Sequence, residues 1–166
     1  GYKKAAQQII DITTNAQRTG TKDLKIPINY DEPLTIAKES MGRMGALTPD
    51  ERLDTLATIR NYFNNRAYPV PGHIGADDAL EIANSLDKEG YNLLNKGLNE
   101  LSPNPALEVK GQTFIGVAED LRSQIHRGFD STGIFKKVKE DVVKELEKIS
   151  PDIAQKARLA TNMGQL

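Results

Sequence analysis

The chain has 166 residues, of which 38% are hydrophobic and 27% charged, so it can bury the core of one domain. Its 22 basic and 23 acidic residues almost cancel, which excludes the strong positive field that non-specific binding to nucleic acid or anionic membranes requires. The absence of cysteine excludes disulfides, thiolate zinc sites and cysteine nucleophiles.

The first predicted helix covers residues 2–18, where apolar side chains recur at spacings of three and four residues. Its stripe consists of Ala5, Ile9, Ile12 and Ala16. The following Leu24, Ile26 and Ile28 alternate as in a β-strand, but Pro27 removes a backbone donor from the pattern. We therefore predict an extended connector there rather than a strand of a sheet.

Two helices are predicted next, over residues 33–44 and 49–65. The second has the clearest start signal in the chain, a capping box. The Thr48 hydroxyl can accept a hydrogen bond from the backbone of Glu51, whose carboxylate can reach back to the Thr48 backbone. Pro49 fits the first helical position, where its missing N–H group is not needed.

Residues 68–75 have the sequence YPVPGHIG, which cannot continue a helix because two prolines and two glycines interrupt it. The segment predicts a loop, and it is the one break in the pattern that could separate two sub-domains. We predict a single helical domain over residues 1–166, with the loop near 68–75 as the candidate boundary.

Residues 76–101 are predicted to form a hairpin of two short helices, 76–88 and 90–101, because the apolar stripe restarts after Gly90. Glycine lowers helix stability, so Gly90 is interpreted as the break between the two helices. Prolines 103 and 105 then end the hairpin.

Three further helices are predicted, over residues 112–127, 133–149 and 151–163. A turn at 128–133 separates the first two, and Ser150 begins the last. The whole pattern predicts an all-α fold, an irregular multi-helix bundle of about seven or eight helices.

The candidate site residues are few. His73 and Tyr68 lie in the 68–75 loop, where a rigid turn could present them to a ligand. The alternative is that His73 is a turn histidine exposed to solvent without a binding role, and this interpretation is favoured.

A second candidate is a polar strip on the helix predicted over 112–127. At 100° per residue, Glu119, Arg122 and His126 fall on one side of that helix. As a catalytic cluster, Glu119 and His126 would exchange a proton while Arg122 binds an anionic ligand. The simpler interpretation, a solvated flank with one salt bridge, is favoured.

No recognised catalytic, phosphate-binding or metal-binding motif is present, so we expect no metal site and no cofactor. The lysines of the 133–149 helix alternate with carboxylates, which disfavours a nucleic-acid surface. No apolar run reaches the roughly 18 residues needed to span a bilayer, and no signal peptide is recognisable, so neither membrane insertion nor export is expected.

The leading hypothesis is a non-catalytic protein-interaction or structural module of a larger protein, its partner being another protein or other domains of the parent chain. The alternative is a helical enzyme domain that uses Glu119, Arg122 and His126. The chain starts without Met and is helical at once, so we expect a piece excised from a longer polypeptide. The lack of cysteine is consistent with the cytoplasm or another reducing compartment.

Overall fold

The computed structural model describes residues 2–66 and 68–166. Within these ranges the chain forms seven α-helices, a short 3₁₀ helix and a two-stranded antiparallel sheet. The helices are α1 Tyr2–Asp23, α2 Asp31–Met44, α3 Pro49–Asn64, α4 Ala76–Gly97, α5 Pro105–Thr132, α6 Ile134–Glu147 and α7 Pro151–Arg158. The strands are β1 Ile28–Asn29 and β2 His73–Ile74, and the 3₁₀ helix is Met163–Gln165. The all-α prediction is confirmed.

Two helix starts that the sequence predicts are present with their caps. Thr48 Oγ1 accepts from the backbone N–H of Glu51 at 3.1 Å, and Glu51 Oε1 accepts from the backbone N–H of Thr48 at 3.1 Å. Ser150 Oγ accepts from the backbone N–H of Ile153 at 3.4 Å at the start of α7. Each cap satisfies a backbone donor that the first helical turn leaves without a partner.

The extended segment before α2 does have a strand partner, so its prediction as an isolated connector is wrong. Ile28 pairs with Ile74 and Asn29 pairs with His73 in the antiparallel sheet. The sheet is only two residues long on each side because Pro27 and the turn at Gly72, with φ +74°, limit the ladder. The 68–75 loop is thereby tied to the entry of α2.

The predicted break at Gly90 is also wrong, since α4 runs without interruption through this residue. Gly90 is buried, and a Cβ atom there would lie 2.9 Å from the carbonyl oxygen of Gly111 on α5. A Cβ atom at Gly97, near the end of α4, would lie 2.5 Å from the backbone nitrogen of Glu108. These glycines allow the backbones of α4 and α5 to approach closely, a role that a helix-breaker interpretation misses.

Two boundaries differ near the carboxyl end of the chain. The predicted turn at 128–133 is helical up to Thr132, and α5 ends where Gly133 adopts a left-handed φ of +79°. The hydroxyl of Thr132 donates to the carbonyl of Gly128 within α5 and therefore does not cap the start of α6. The last helix ends at Arg158 rather than at residue 163, and a 3₁₀ turn follows it.

The chain divides into two compact units. The first unit comprises Gly1–Ile26 and Ile125–Leu166, and the second comprises Pro27–Gln124. The second unit is thus inserted within the sequence of the first, and both junctions fall outside the 68–75 loop. That residues 1–166 form a single domain stays a prediction.

Each unit has its own buried apolar residues. In the first unit α6 packs against α1 and α7, and the largest fully buried side chains are Ile125, Phe129 and Val142. In the second unit α2 packs against α3, and Met41, Leu47 and Val109 form a cluster. The largest fully buried side chains there are Ile28, Met41, Ile59, Phe63, Ile74, Ile82, Leu86, Val117 and Leu121.

Candidate functional site

The second unit contains an open groove of about 410 Å³ between α2 and α5, hereafter the α2–α5 groove. Its volume falls in the range of ligand-binding clefts, about 300–1,000 Å³. From α2 it is lined by Pro33, Ile36, Ala37 and Ser40, which recur at helical spacing and therefore share a face. From α5 it is lined by Gln112, Thr113, Gly116, Val117, Glu119, Asp120 and Ser123.

The base of the groove is apolar and one wall is exposed. Ala37 and Val117 are buried, whereas Ile36 keeps 48% of its surface accessible. The hydroxyl of Thr113 donates to the carbonyl of Val109 at 2.8 Å, so this buried polar group is satisfied within its own helix. An aliphatic side chain entering the groove would therefore meet mostly carbon.

Gly116 is the most informative residue of the groove. It lies in the interior of α5, and a Cβ atom there would meet no neighbouring heavy atom within 4 Å. Glycine in a helix interior costs about 1 kcal/mol relative to alanine. Gly90 and Gly111 offset this cost through the close packing of α4 and α5, but no packing contact explains Gly116. Its effect is to widen the groove.

A hydrogen-bond network holds one end of the groove. The side-chain amide of Gln124 accepts from the backbone N–H of Asn29 at 2.8 Å and donates to the Asn29 carbonyl at 2.6 Å. Gln124 Nε2 also lies 3.0 Å from Asp120 Oδ2, to which it donates. The network anchors the segment before α2 to α5 and orients the Asp120 carboxylate.

The polar strip predicted on α5 divides between different contacts. Arg122 forms an ion pair with Asp87 on α4, and its other terminal nitrogen donates to Asn84 Oδ1 at 2.6 Å. The Arg122 guanidinium is thus engaged by α4. The role of Arg122 as an anion-binding residue stays a prediction.

The two residues proposed for proton transfer also have different surroundings. Glu119 lines the α2–α5 groove in the second unit. His126 belongs to the first unit, where its Nε2 lies 3.2 Å from the Gln17 side-chain amide nitrogen of α1. A catalytic role for Glu119 and His126 stays a prediction.

Of the two loop candidates, His73 is the first residue of β2, and Tyr68 precedes this strand. His73 Nδ1 is 2.8 Å from the carbonyl oxygen of Pro71. Because a carbonyl only accepts, Nδ1 carries the hydrogen, and Nε2 is the nitrogen with a lone pair when the ring is neutral. Tyr68 is half-buried. Neither residue lines the α2–α5 groove, and their binding roles stay predictions.

A second groove, of about 460 Å³, lies between α6 and α7 in the first unit, hereafter the α6–α7 groove. Its lining consists of Val143, four basic side chains and two carboxylates. Arg158 forms an ion pair with Glu147, and Lys139 donates to the carbonyl of Ala160 at 2.7 Å. α6 as a whole carries four lysines and four carboxylates, but the groove that it lines together with Arg158 is basic.

Sequence reasoning singled out Glu119 but missed Ile36, Ser40, Gly116 and Asp120 as groove residues. The sequence did not reveal that Ile36 is exposed, because this residue lies next to the apolar stripe of α2. A usable signal was Gly116, a glycine within an otherwise well-patterned helix, since such a residue needs a packing or functional reason.

None of the described helices combines the length and the apolar character that crossing a bilayer requires. Among residues 2–66 and 68–166, no three His, Asp or Glu side chains are grouped so that they could hold a metal ion. Comparison with known protein families, with characterised proteins and with solved structures found no match.

Proposed function

We propose that the chain is a protein-interaction module whose second unit binds a segment of a partner protein in the α2–α5 groove. The partner is another protein or another domain of the same parent polypeptide. We place the interaction in the cytoplasm or another reducing compartment. The chain has no cysteine and therefore forms no disulfide, as is usual for proteins of such compartments.

The observation that carries the proposal is Gly116. The residue lowers the helix propensity of α5 without any packing contact that would require glycine, and it lies on the surface of the groove. Any larger side chain at this position would extend into the groove and fill part of it. A binding groove gives the glycine a reason that the stability of α5 does not.

The form of the groove favours a peptide segment over a substrate for catalysis. It is an open cleft between two helices with an apolar base and an exposed aliphatic side chain, Ile36, in its wall. Grooves between helices typically receive side chains that a partner presents at regular spacing. The residues that could exchange protons, Glu119 and His126, have contacts in different units.

The test first identifies a protein that contacts the groove and then asks whether a larger side chain in the groove removes that contact. A photo-crosslinking amino acid is placed at position 36 in the groove wall, in the organism that makes the chain. The same amino acid at position 53 is the control, because Leu53 is an apolar side chain on α3 that is 62% exposed and does not line the groove. Crosslinked proteins are identified by mass spectrometry.

The experiment is repeated in Gly116→Leu and Gly42→Leu backgrounds. Gly42 is the matched control, since it is also an exposed helical glycine whose Cβ atom would meet nothing within 4 Å, and it lies outside the groove. A partner that crosslinks from position 36, persists in Gly42→Leu and disappears in Gly116→Leu supports the proposal. Equal crosslinking in both leucine variants contradicts it.

A further inference from the structure

Resting on the proposed function, we infer that the segment bound in the α2–α5 groove carries an aliphatic side chain next to an arginine or lysine. The aliphatic side chain lies over the apolar base at Gly116, and the basic group reaches the carboxylates of Glu119 and Asp120. The inference assigns the chemistry of the partner, which the proposed function leaves open.

The charge of the groove supports the basic residue. Two carboxylates line it, Glu119 and Asp120, and among the described lining residues none is Lys or Arg. Counted by formal side-chain charge, the α2–α5 groove carries −2, whereas the α6–α7 groove carries +2. Asp31 and Glu32 lie in the first turn of α2, where they interact favourably with the positive end of the helix dipole. Both are acidic, so they add no positive charge to the groove.

The position of the carboxylates fixes where the basic group would bind. Glu119 and Asp120 follow Gly116 by three and four residues, so they lie about one turn further along α5 on the same side. The hydrogen bond from Gln124 holds Asp120 in place and leaves its Oδ1 atom outside that bond. A guanidinium or ammonium one residue from the buried aliphatic group would span about this distance.

The aliphatic side chain has its own site. Ile36, Ala37, Val117 and the bare backbone of Gly116 together form an apolar recess next to the carboxylates. Burying a side chain such as leucine there removes apolar surface from water on both partners. A cation alone would leave this recess unused, and we therefore infer a two-residue determinant rather than a simple amine site.

The probes are four blocked peptides that vary the two features independently. They are acetyl-Leu-Arg-amide, acetyl-Leu-citrulline-amide, acetyl-Gly-Arg-amide and acetyl-Arg-amide. Citrulline has nearly the shape of arginine without its charge, so the first two peptides differ in charge alone. The full chain labelled with ¹⁵N and methyl-¹³C is titrated with each, and the shifts of the Gly116 amide and the Ile36 methyl groups give the Kd.

We expect acetyl-Leu-Arg-amide to bind about fivefold more tightly than the citrulline or glycine peptide. The Glu119→Gln/Asp120→Asn double variant abolishes the difference between arginine and citrulline. Glu39→Gln is the control, because Glu39 is exposed on α2 and does not line the groove. Raising the salt concentration weakens only the arginine peptides. Amide spectra of each variant verify that it is folded.

Each other outcome overturns a defined statement. Equal binding of the arginine and citrulline peptides, unaffected by the double variant, overturns the basic determinant and leaves the proposed function standing. Binding of acetyl-Arg-amide as tight as that of acetyl-Leu-Arg-amide overturns the aliphatic determinant. Concentration-dependent dimerisation that Gly116→Leu abolishes would instead assign the groove to a second copy. Shifts that leave Gly116 and Ile36 unchanged with every probe, combined with equal crosslinking of both leucine variants, overturn both proposals.

Discussion

Two glycines five residues apart on α5 illustrate opposite reasons for the same residue type. At Gly111 a Cβ atom would lie 2.6 Å from both the carbonyl oxygen of Gly90 and the backbone nitrogen of Leu94, so no side chain fits. At Gly116 a Cβ atom would meet nothing within 4 Å. The first glycine is required by the contact with α4, whereas the second leaves open space beside α2.

The difference shows how a glycine can report function. A glycine in a helix interior lowers intrinsic helix stability, which raises the question of what offsets the loss. Packing supplies that reason at Gly111, because the two helix backbones could not come so close around a side chain. At Gly116 the second unit supplies no packing reason, as at Gly42, and Gly116 differs from Gly42 in lining the α2–α5 groove.

The largest effect expected from this comparison is at Gly111. Gly111→Ala should lower the free energy of unfolding by about 2 kcal/mol or more, because its Cβ meets backbone atoms of α4 that cannot rotate away. The better helix propensity of alanine offsets only about 1 kcal/mol of this loss in stability. Urea denaturation followed by far-UV circular dichroism measures the loss. A variant as stable as the parent chain would show that α4 and α5 are not in such close contact.

The same comparison explains which parts of the fold the sequence could predict. The start of α3 depends only on Thr48, Pro49 and Glu51, so every residue needed to recognise it lies within four positions. Gly90 was interpreted as a helix break because its partner, Gly111, lies 21 positions later in the chain. The pairing of Ile28 with Ile74 was missed for the same reason, since its partner lies 46 positions later and each strand has only two residues.

The effect on stability expected at Gly116 is intermediate in size. Gly116→Ala should raise the free energy of unfolding by about 0.5 to 1 kcal/mol, because alanine improves helix propensity and its methyl group meets no neighbour. Gly42→Ala should give a gain of similar size for the same reason. Both are measured by urea denaturation beside Gly111→Ala. A loss of stability in Gly116→Ala would mean that the space beside this residue is filled, which would remove the argument for the groove.

The candidate site was only partly accessible from sequence. Glu119 was singled out for its position beside Arg122 and His126, yet in the structure Arg122 pairs with Asp87 and Glu119 lines the groove. The groove exists only once α2 and α5 are side by side, and no local pattern specifies that pairing. Ile36 illustrates the consequence, because it becomes a groove wall only through residues of α5 that lie 76 or more positions later in the chain.

The smallest effect extends the comparison to an interaction that is entirely local, the capping box of α3. Hydrogen bonds from the backbone and then from the side chain of Thr48 hold the pKa of Glu51 below its ordinary value in the folded chain. The unfolded chain thus binds the proton more readily. Glu51 therefore stabilises the fold above its ordinary pKa, and this contribution is lost as the pH falls through the lowered value.

Glu51→Gln separates the hydrogen bond from the charge, because glutamine can still accept from the Thr48 backbone but does not titrate. We expect the stability difference between the parent chain and Glu51→Gln to shrink as the pH falls from about 6 to about 3. Thermal melting at several pH values measures it. Parallel melting curves across that range would place Glu51 outside the cap. A convergence would show that the charge of Glu51 strengthens the cap beyond what a neutral acceptor provides.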